Sequence, residues 1–153
     1  PVYHPVSFSD EFVRSVARAG STSVPVTGPV EIIPNVFLTG EMGTAIKEQA
    51  LILRTGEGLV VITGCSHPGI VEIVEKTKQI LDEPIHLVLG GFHLLRHADD
   101  QTAAIIEHLE QLGVAKCGAT HCTGDPQISA FKKAYGDDFV EMGAGRVVTF
   151  AAR

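Results

Sequence analysis

Three short segments carry residue types that could do chemistry: Thr63-Gly64-Cys65-Ser66-His67-Pro68-Gly69, Gly90-Gly91-Phe92-His93-Leu94 and Thr120-His121-Cys122-Thr123-Gly124. Histidine is the commonest protein metal ligand, and neutral imidazole beside thiolate or carboxylate donors suits Zn²⁺, Fe or Mn. Cys65 and Cys122 add soft sulfur donors to two of the segments. The histidines are too far apart in sequence for a local zinc-finger pattern, so a shared site needs the fold to gather them. Each residue also has a plainer reading. A His at a strand end can simply be solvated, and a Cys close to Gly64 or Gly124 can be a small buried side chain at a tight turn. A nucleophilic Cys65 or Cys122 is a third reading. Gly90-Gly91 and Thr123-Gly124 can shape turns or present N–H groups to an anion.

The surrounding elements make gathering plausible in physical terms, because each segment follows an apolar run and precedes a helical pattern. Gln49–Arg54 and Leu59–Thr63 read as a hairpin around Thr55-Gly56-Glu57-Gly58. Ile70, Ile73, Val74, Ile80 and Leu81 recur at helical spacing, and Asp82-Glu83-Pro84 ends that pattern. Ile85–Leu89 is a strand. Gln101–Leu112 is a helix with Asp99 or Asp100 as its cap and Gly113 as its stop, followed by a weak strand over Val114–Ala119. Asp125-Pro126 opens a last helix that runs to Gly136. Strands over Phe139–Met142 and Arg146–Phe150 are expected to close the chain. Ahead of all this, a helix is expected between Ser7 and Gly20, a loop over residues 21–29, and an extended segment from Val30 to Leu38 broken at Pro34-Asn35 and suited to a sheet edge. Strands joined by helical crossovers imply a mixed sheet covered by helices, with all three histidines at strand-to-helix junctions.

Composition narrows the partners. A chain of 153 residues with 44% hydrophobic content can fill a core of its own. The net charge of -6 and the lack of any Lys/Arg-rich run argue against nucleic acid, which leaves a basic footprint. A small-molecule substrate fits better. No apolar stretch nears the roughly 20 residues that span a bilayer, and three cysteines without a C-x-x-C pair suit a reducing, cytoplasmic setting. His4, His86, His97 and His108 lack the junction placement and are expected to fill surface roles.

The run Glu48-Gln49-Ala50-Leu51, then Gly58 through Ile70, Gly90-Gly91-Phe92-His93-Leu94 and His121-Cys122-Thr123-Gly124, resembles the metallo-β-lactamase superfamily. More narrowly it is similar to the branch of dihydropterin-(ribofuranosyl)aminobenzene-phosphate synthase-like metal-dependent hydrolases. The resemblance implies an α/β fold, α+β in some schemes, built as the C-terminal half of an αββα sandwich. It implies a divalent metal at the sheet edge, one or two ions, Zn with Fe or Mn as alternatives, activating a water. His67, His121 and Cys65 are its implied metal ligands, His121 matching the last histidine of the pattern. His93 is implied as a ligand or as a substrate-facing acid/base group. Cys65 stands where many members carry a Gly-Asp pair with a bridging Asp.

The superfamily's His-x-His-x-Asp-His motif does not occur in these residues, and in the family it precedes the segment similar to Val2-Tyr3-His4-Pro5. The chain also opens Pro-Val-Tyr-His-Pro, without Met. The expectation is a single domain over 1–153 that lacks its N-terminal half, completed by an N-terminal segment or by a second copy in a homo-oligomer. Two alternatives stand beside the hydrolase: a non-catalytic half-domain that needs a partner, and a cysteine hydrolase using Cys65 with His67.

Overall fold

Apolar alternation and helical periodicity resolve into eight strands and four helices in the computed structural model, which describes Pro1–Arg153. In chain order these are β1 (Val2–Pro5), α1 (Asp10–Arg18), β2 (Ser23–Val26), β3 (Val30–Ile33), β4 (Val36–Leu38), β5 (Leu51–Thr55) and β6 (Gly58–Ile62). Then follow α2 (Ile70–Ile80), β7 (Ile85–Gly91), α3 (Asp99–Gln111), β8 (Lys116–Thr120) and α4 (Asp125–Tyr135). The main sheet has six strands in the order β3-β4-β5-β6-β7-β8. Its first three joints are antiparallel and its last two, β6-β7 and β7-β8, are parallel. The mixed α/β architecture with helical crossovers is the one the sequence implies.

Parallel neighbours are what matter for the site. Strands β6, β7 and β8 lie side by side and run the same way, so their carboxyl ends open onto one edge. Their apolar runs are buried on both faces, as parallel strands require. Leu59, Val60 and Val61 in β6 and Leu87 and Val88 in β7 are all fully buried. The helices cover one face through Ile70, Ile73 and Val74 of α2, Ile106 and Leu109 of α3, and Phe131 of α4. The β5-β6 hairpin depends on Gly58, whose φ of +124° and approach to Pro84 leave no room for a side chain: a Cβ there would stand 2.7 Å from the Pro84 carbonyl oxygen.

Several local expectations are corrected. The cap of α1 is Ser9, whose side chain accepts from Phe12 N–H, because Ser7 is held in the preceding turn by its N–H bond to the Glu41 carboxylate at 2.8 Å. Residues 21–29 contain β2, which pairs in parallel with β1. Its Ser and Pro content hides a strand that a two-stranded ribbon tolerates, since each strand there is an edge. The segment from Val30 to Leu38 is a pair of antiparallel strands turning at Asn35, which adopts φ 66°. The cap position of α3 is Ala98, with Asp99 and Asp100 inside the first turn, where they favour the helix dipole.

The two closing strands do not form. Phe139 makes a single bridge to Cys117, and a turn closed by Arg146 N–H to the Gly143 carbonyl ends any extension. The tail instead crosses the sheet face opposite the helices. A Cβ on Gly118 would meet the Met142 side chain at 2.9 Å, and the Ala151 carbonyl accepts from Gly56 N–H. His4 also departs from expectation. It is only 3% exposed, stacks on Phe8, meets Phe12 edge to face, and bonds Ser23 Oγ at 2.7 Å, tying α1 to β1 and β2. No helix is long and apolar enough to cross a membrane.

Candidate metal centre

The three junctions meet and are cross-tied. Gly91 N–H donates to the Gly64 carbonyl at 2.9 Å, and Ser66 Oγ donates to the Gly91 carbonyl at 2.6 Å, joining the first junction to the second. Phe92 N–H donates to Thr123 Oγ1 at 3.0 Å, joining the second to the third. The Cys122 thiol donates to the Cys65 carbonyl at 3.5 Å and closes the ring. A side chain at Gly91 would break this closure, because a Cβ there would stand 2.6 Å from the Gly64 carbonyl oxygen and 2.8 Å from Cys122 Sγ.

Backbone strain concentrates at the same place. Only four non-glycine residues have positive φ, and three of them are Ser66 at 61°, His93 at 54° and His121 at 54°. Such conformations cost roughly 1 kcal/mol or more each and persist where surrounding bonds over-determine them. Here one such residue lies in each junction. The strain turns the chain sharply at each strand end and leaves the His93 and His121 side chains exposed at the rim.

Two overlapping groups of metal-capable atoms result. Cys65, His121 and Cys122 offer donor atoms that all lie within 4.8 Å of one another, and so do Glu48, Cys65 and His67. Of the four residues singled out from sequence, Cys65 belongs to both groups, with His121 beside it in one and His67 in the other. The fourth, His93, lies against His67 with ring centroids 4.3 Å apart. Both rings open into a cleft of about 620 Å³ between α2 and α3 that also meets His97 and His108. His97 thereby has a place near the site that its position in the sequence did not suggest, and its Nδ1 is buried without a partner.

Glu48 is the residue that sequence reasoning missed. One carboxylate oxygen accepts from the His67 main-chain N–H and the other lies 2.8 Å from His67 Nδ1. A carboxylate on Nδ1 fixes the tautomer with its proton there, which leaves Nε2 as the free donor. The sequence signal was faint: an acid just ahead of an apolar run, whose partner lies beyond the whole β5-β6 hairpin. With a metal bound through His67, Glu48→Gln is expected to weaken metal affinity by about 10–100-fold while leaving the fold intact. Isothermal titration of both forms checks this.

The Cys65 thiol is pushed up to about 11, first by loss of hydration, then by the hydrogen bond and charge of Cys122 and by the Glu48 carboxylate. At neutral pH it is a thiol, which makes it a poor nucleophile. A metal displaces that proton outright, since only the thiolate coordinates. Cys117, by contrast, is buried in the core among apolar side chains, and burial pushes it up to about 12. It is structural.

No family model matches the chain. The metal-dependent hydrolase Tm1679 of the β-lactamase superfamily superposes with a TM-score of 0.76 at 33% identity, over 85% of this chain and 60% of that one. A 7,8-dihydropterin-6-methyl-4-(β-D-ribofuranosyl)-aminobenzene-5'-phosphate synthase from Methanocaldococcus jannaschii is 28% identical over 90% of this chain and 56% of its own length. The chain is thus similar in fold and sequence to the metallo-β-lactamase superfamily. Within it, the likeness is to proteins named as a metal-dependent hydrolase and as a synthase. A further relative in the same organism, the uncharacterized protein MJ0448, is 32% identical over 58% of this chain and 33% of its own length. The chain thus spans less than two thirds of the length of each of these relatives.

Proposed function

We propose that this chain carries the C-terminal part of the active site of a metal-dependent hydrolase or synthase acting on a small molecule. The observation that carries the reading is the meeting at one sheet edge of Cys65 and His67, from the first junction, with His121, from the third, the junctions being cross-tied. The donor set fits a divalent transition metal. Imidazole nitrogen with thiolate sulfur suits Zn, with Fe as the neighbouring option and Mn the less favoured, harder ion. A bound metal there would acidify a water and polarise the substrate bond.

The chain's own residues divide the remaining work. Glu48 orients His67 through Nδ1. His93, exposed and against the His67 ring, faces the cleft as the acid/base group that can hold a proton near the reacting atoms. The cleft between α2 and α3 receives the substrate. The names of the relatives support this class, one being a metal-dependent hydrolase and another the synthase of a dihydropterin-containing phosphate.

The remaining donors of a closed site come, on this reading, from a segment outside these residues, either an N-terminal portion or a second copy. The exposed rim position of His121 supports an open side to the site. A non-catalytic half-domain is the alternative reading, and the same open side motivates it. Elemental analysis of the protein as its gene encodes it, purified without chelator, separates the two. About one or two equivalents of transition metal per chain, removable by chelator with loss of activity, is the expected result. Metal-free protein with full activity overturns the proposal.

A further inference from the structure

We propose that Cys122 is a metal ligand, so that Cys65, Cys122 and His121 make a sulfur-rich position selective for a thiophilic ion such as Zn²⁺ or Cd²⁺. This inference rests on reading the edge as a metal site and goes further by naming an additional ligand and the class of ion.

The two donor groups at the edge are unequal. In the group with Glu48, both carboxylate oxygens are already engaged by His67, so that acid acts on the histidine and has little left for a metal. In the other group, which shares Cys65, no donor atom is tied up in that way. The Cys122 thiol has one long contact, 3.5 Å to the Cys65 carbonyl, which it gives up on losing its proton. Cys65, Cys122 and His121 present two sulfurs and one nitrogen within 4.8 Å of one another. Ligands about 2.3 Å (sulfur) and 2.0–2.1 Å (nitrogen) from a tetrahedral ion stand at comparable mutual separations, so small side-chain adjustments bring them into place.

A second, independent feature points the same way. Gly91 lacks the side chain whose Cβ would sit 2.8 Å from Cys122 Sγ, and that space lets the sulfur stand at the junction. The φ of 54° at His121 reverses the chain immediately before Cys122, which brings two adjacent residues to the site from one short turn. Two thiolates lower affinity for hard, oxygen-preferring ions such as Mg²⁺ and favour soft ones.

Cobalt substitution of the gene-encoded protein tests this, because a sulfur ligand gives a charge-transfer band that nitrogen and oxygen ligands do not. Cobalt-loaded wild type is expected to show that band, and Cys122→Ser to lose about half of it, as removal of one of two sulfurs requires. Cys117→Ala is expected to leave it unchanged. Cadmium NMR of the wild type reads the number of sulfurs with no variant needed, so a misfolded variant does not decide the matter. Two sulfurs are expected. Cobalt or cadmium bound with no sulfur signature, or with one sulfur that persists in Cys122→Ser, overturns the Cys122 assignment while leaving the edge a metal site. Failure to bind either ion overturns both.

Discussion

His121→Ala is expected to reduce bound metal from about one or two equivalents to a trace and to lower metal-dependent turnover on the order of 10³-fold. The magnitude follows from what a metal supplies to such chemistry, several kcal/mol of charge stabilisation, set against a change that leaves the apolar core untouched. His121 is exposed at the rim, and its ring contributes nothing to the buried cluster. Thermal stability of the metal-free variant should therefore match that of metal-free wild type. Plasma mass spectrometry for metal content, together with the rate before and after metal addition, checks the prediction. A variant that keeps its metal assigns His121 to the surface.

The second large effect is expected at a residue that supplies no donor atom. Phe131 on α4 is fully buried and meets Phe92 edge to face at 5.3 Å, and Phe92 immediately precedes His93. Phe131→Ala is expected to cost about 3–5 kcal/mol, through lost burial and the cavity left behind. Urea denaturation with unchanged slope measures it. Because Phe92 N–H also donates to Thr123 Oγ1, the loss should loosen the second and third junctions together. A weaker metal site is expected to accompany the lower stability. A cost under about 1 kcal/mol would mean that α4 does not clamp the sheet edge.

The fold was legible where local chemistry and tertiary role agree. The β5-β6 hairpin announced itself by two apolar runs around Gly56 and Gly58, and α2 by Ile70, Ile73 and Val74 at helical spacing. The parallel trio followed from strands alternating with helices, and with it the gathering of His67, His93 and His121 at one edge. Where the two disagree, the sequence misled. Strand β2 hides in Ser23-Val24-Pro25-Val26 because a proline costs a ribbon edge nothing. The tail from Phe139 to Phe150 has strand-like residues, but Gly143 and Gly145 turn it across the sheet face, where Met142 covers Gly118.

The site was legible in its metal-capable residues and not in what holds them. Three histidines, Cys65 and Cys122 could be named as candidates from type and junction placement, and it was the family resemblance that singled out Cys65. Glu48, Ser66 and Thr123 could not, since each acts through a partner on another element: His67, the Gly91 carbonyl and the Phe92 N–H. Their residue types carry no mark of that partnership. The burial of His4 escaped for the same reason, being decided by Phe8, Phe12 and Ser23 around it.

The core of this reading is a metal held between the first and third strand-end junctions. Anomalous diffraction at the zinc edge, from crystals of the gene-encoded protein grown with Zn²⁺, tests it most directly. The account predicts a peak within about 2.0–2.4 Å of Cys65 Sγ and a ring nitrogen of His121, with any second peak bonded to His67 Nε2. A peak confined to surface residues away from this edge, or none at all, contradicts it.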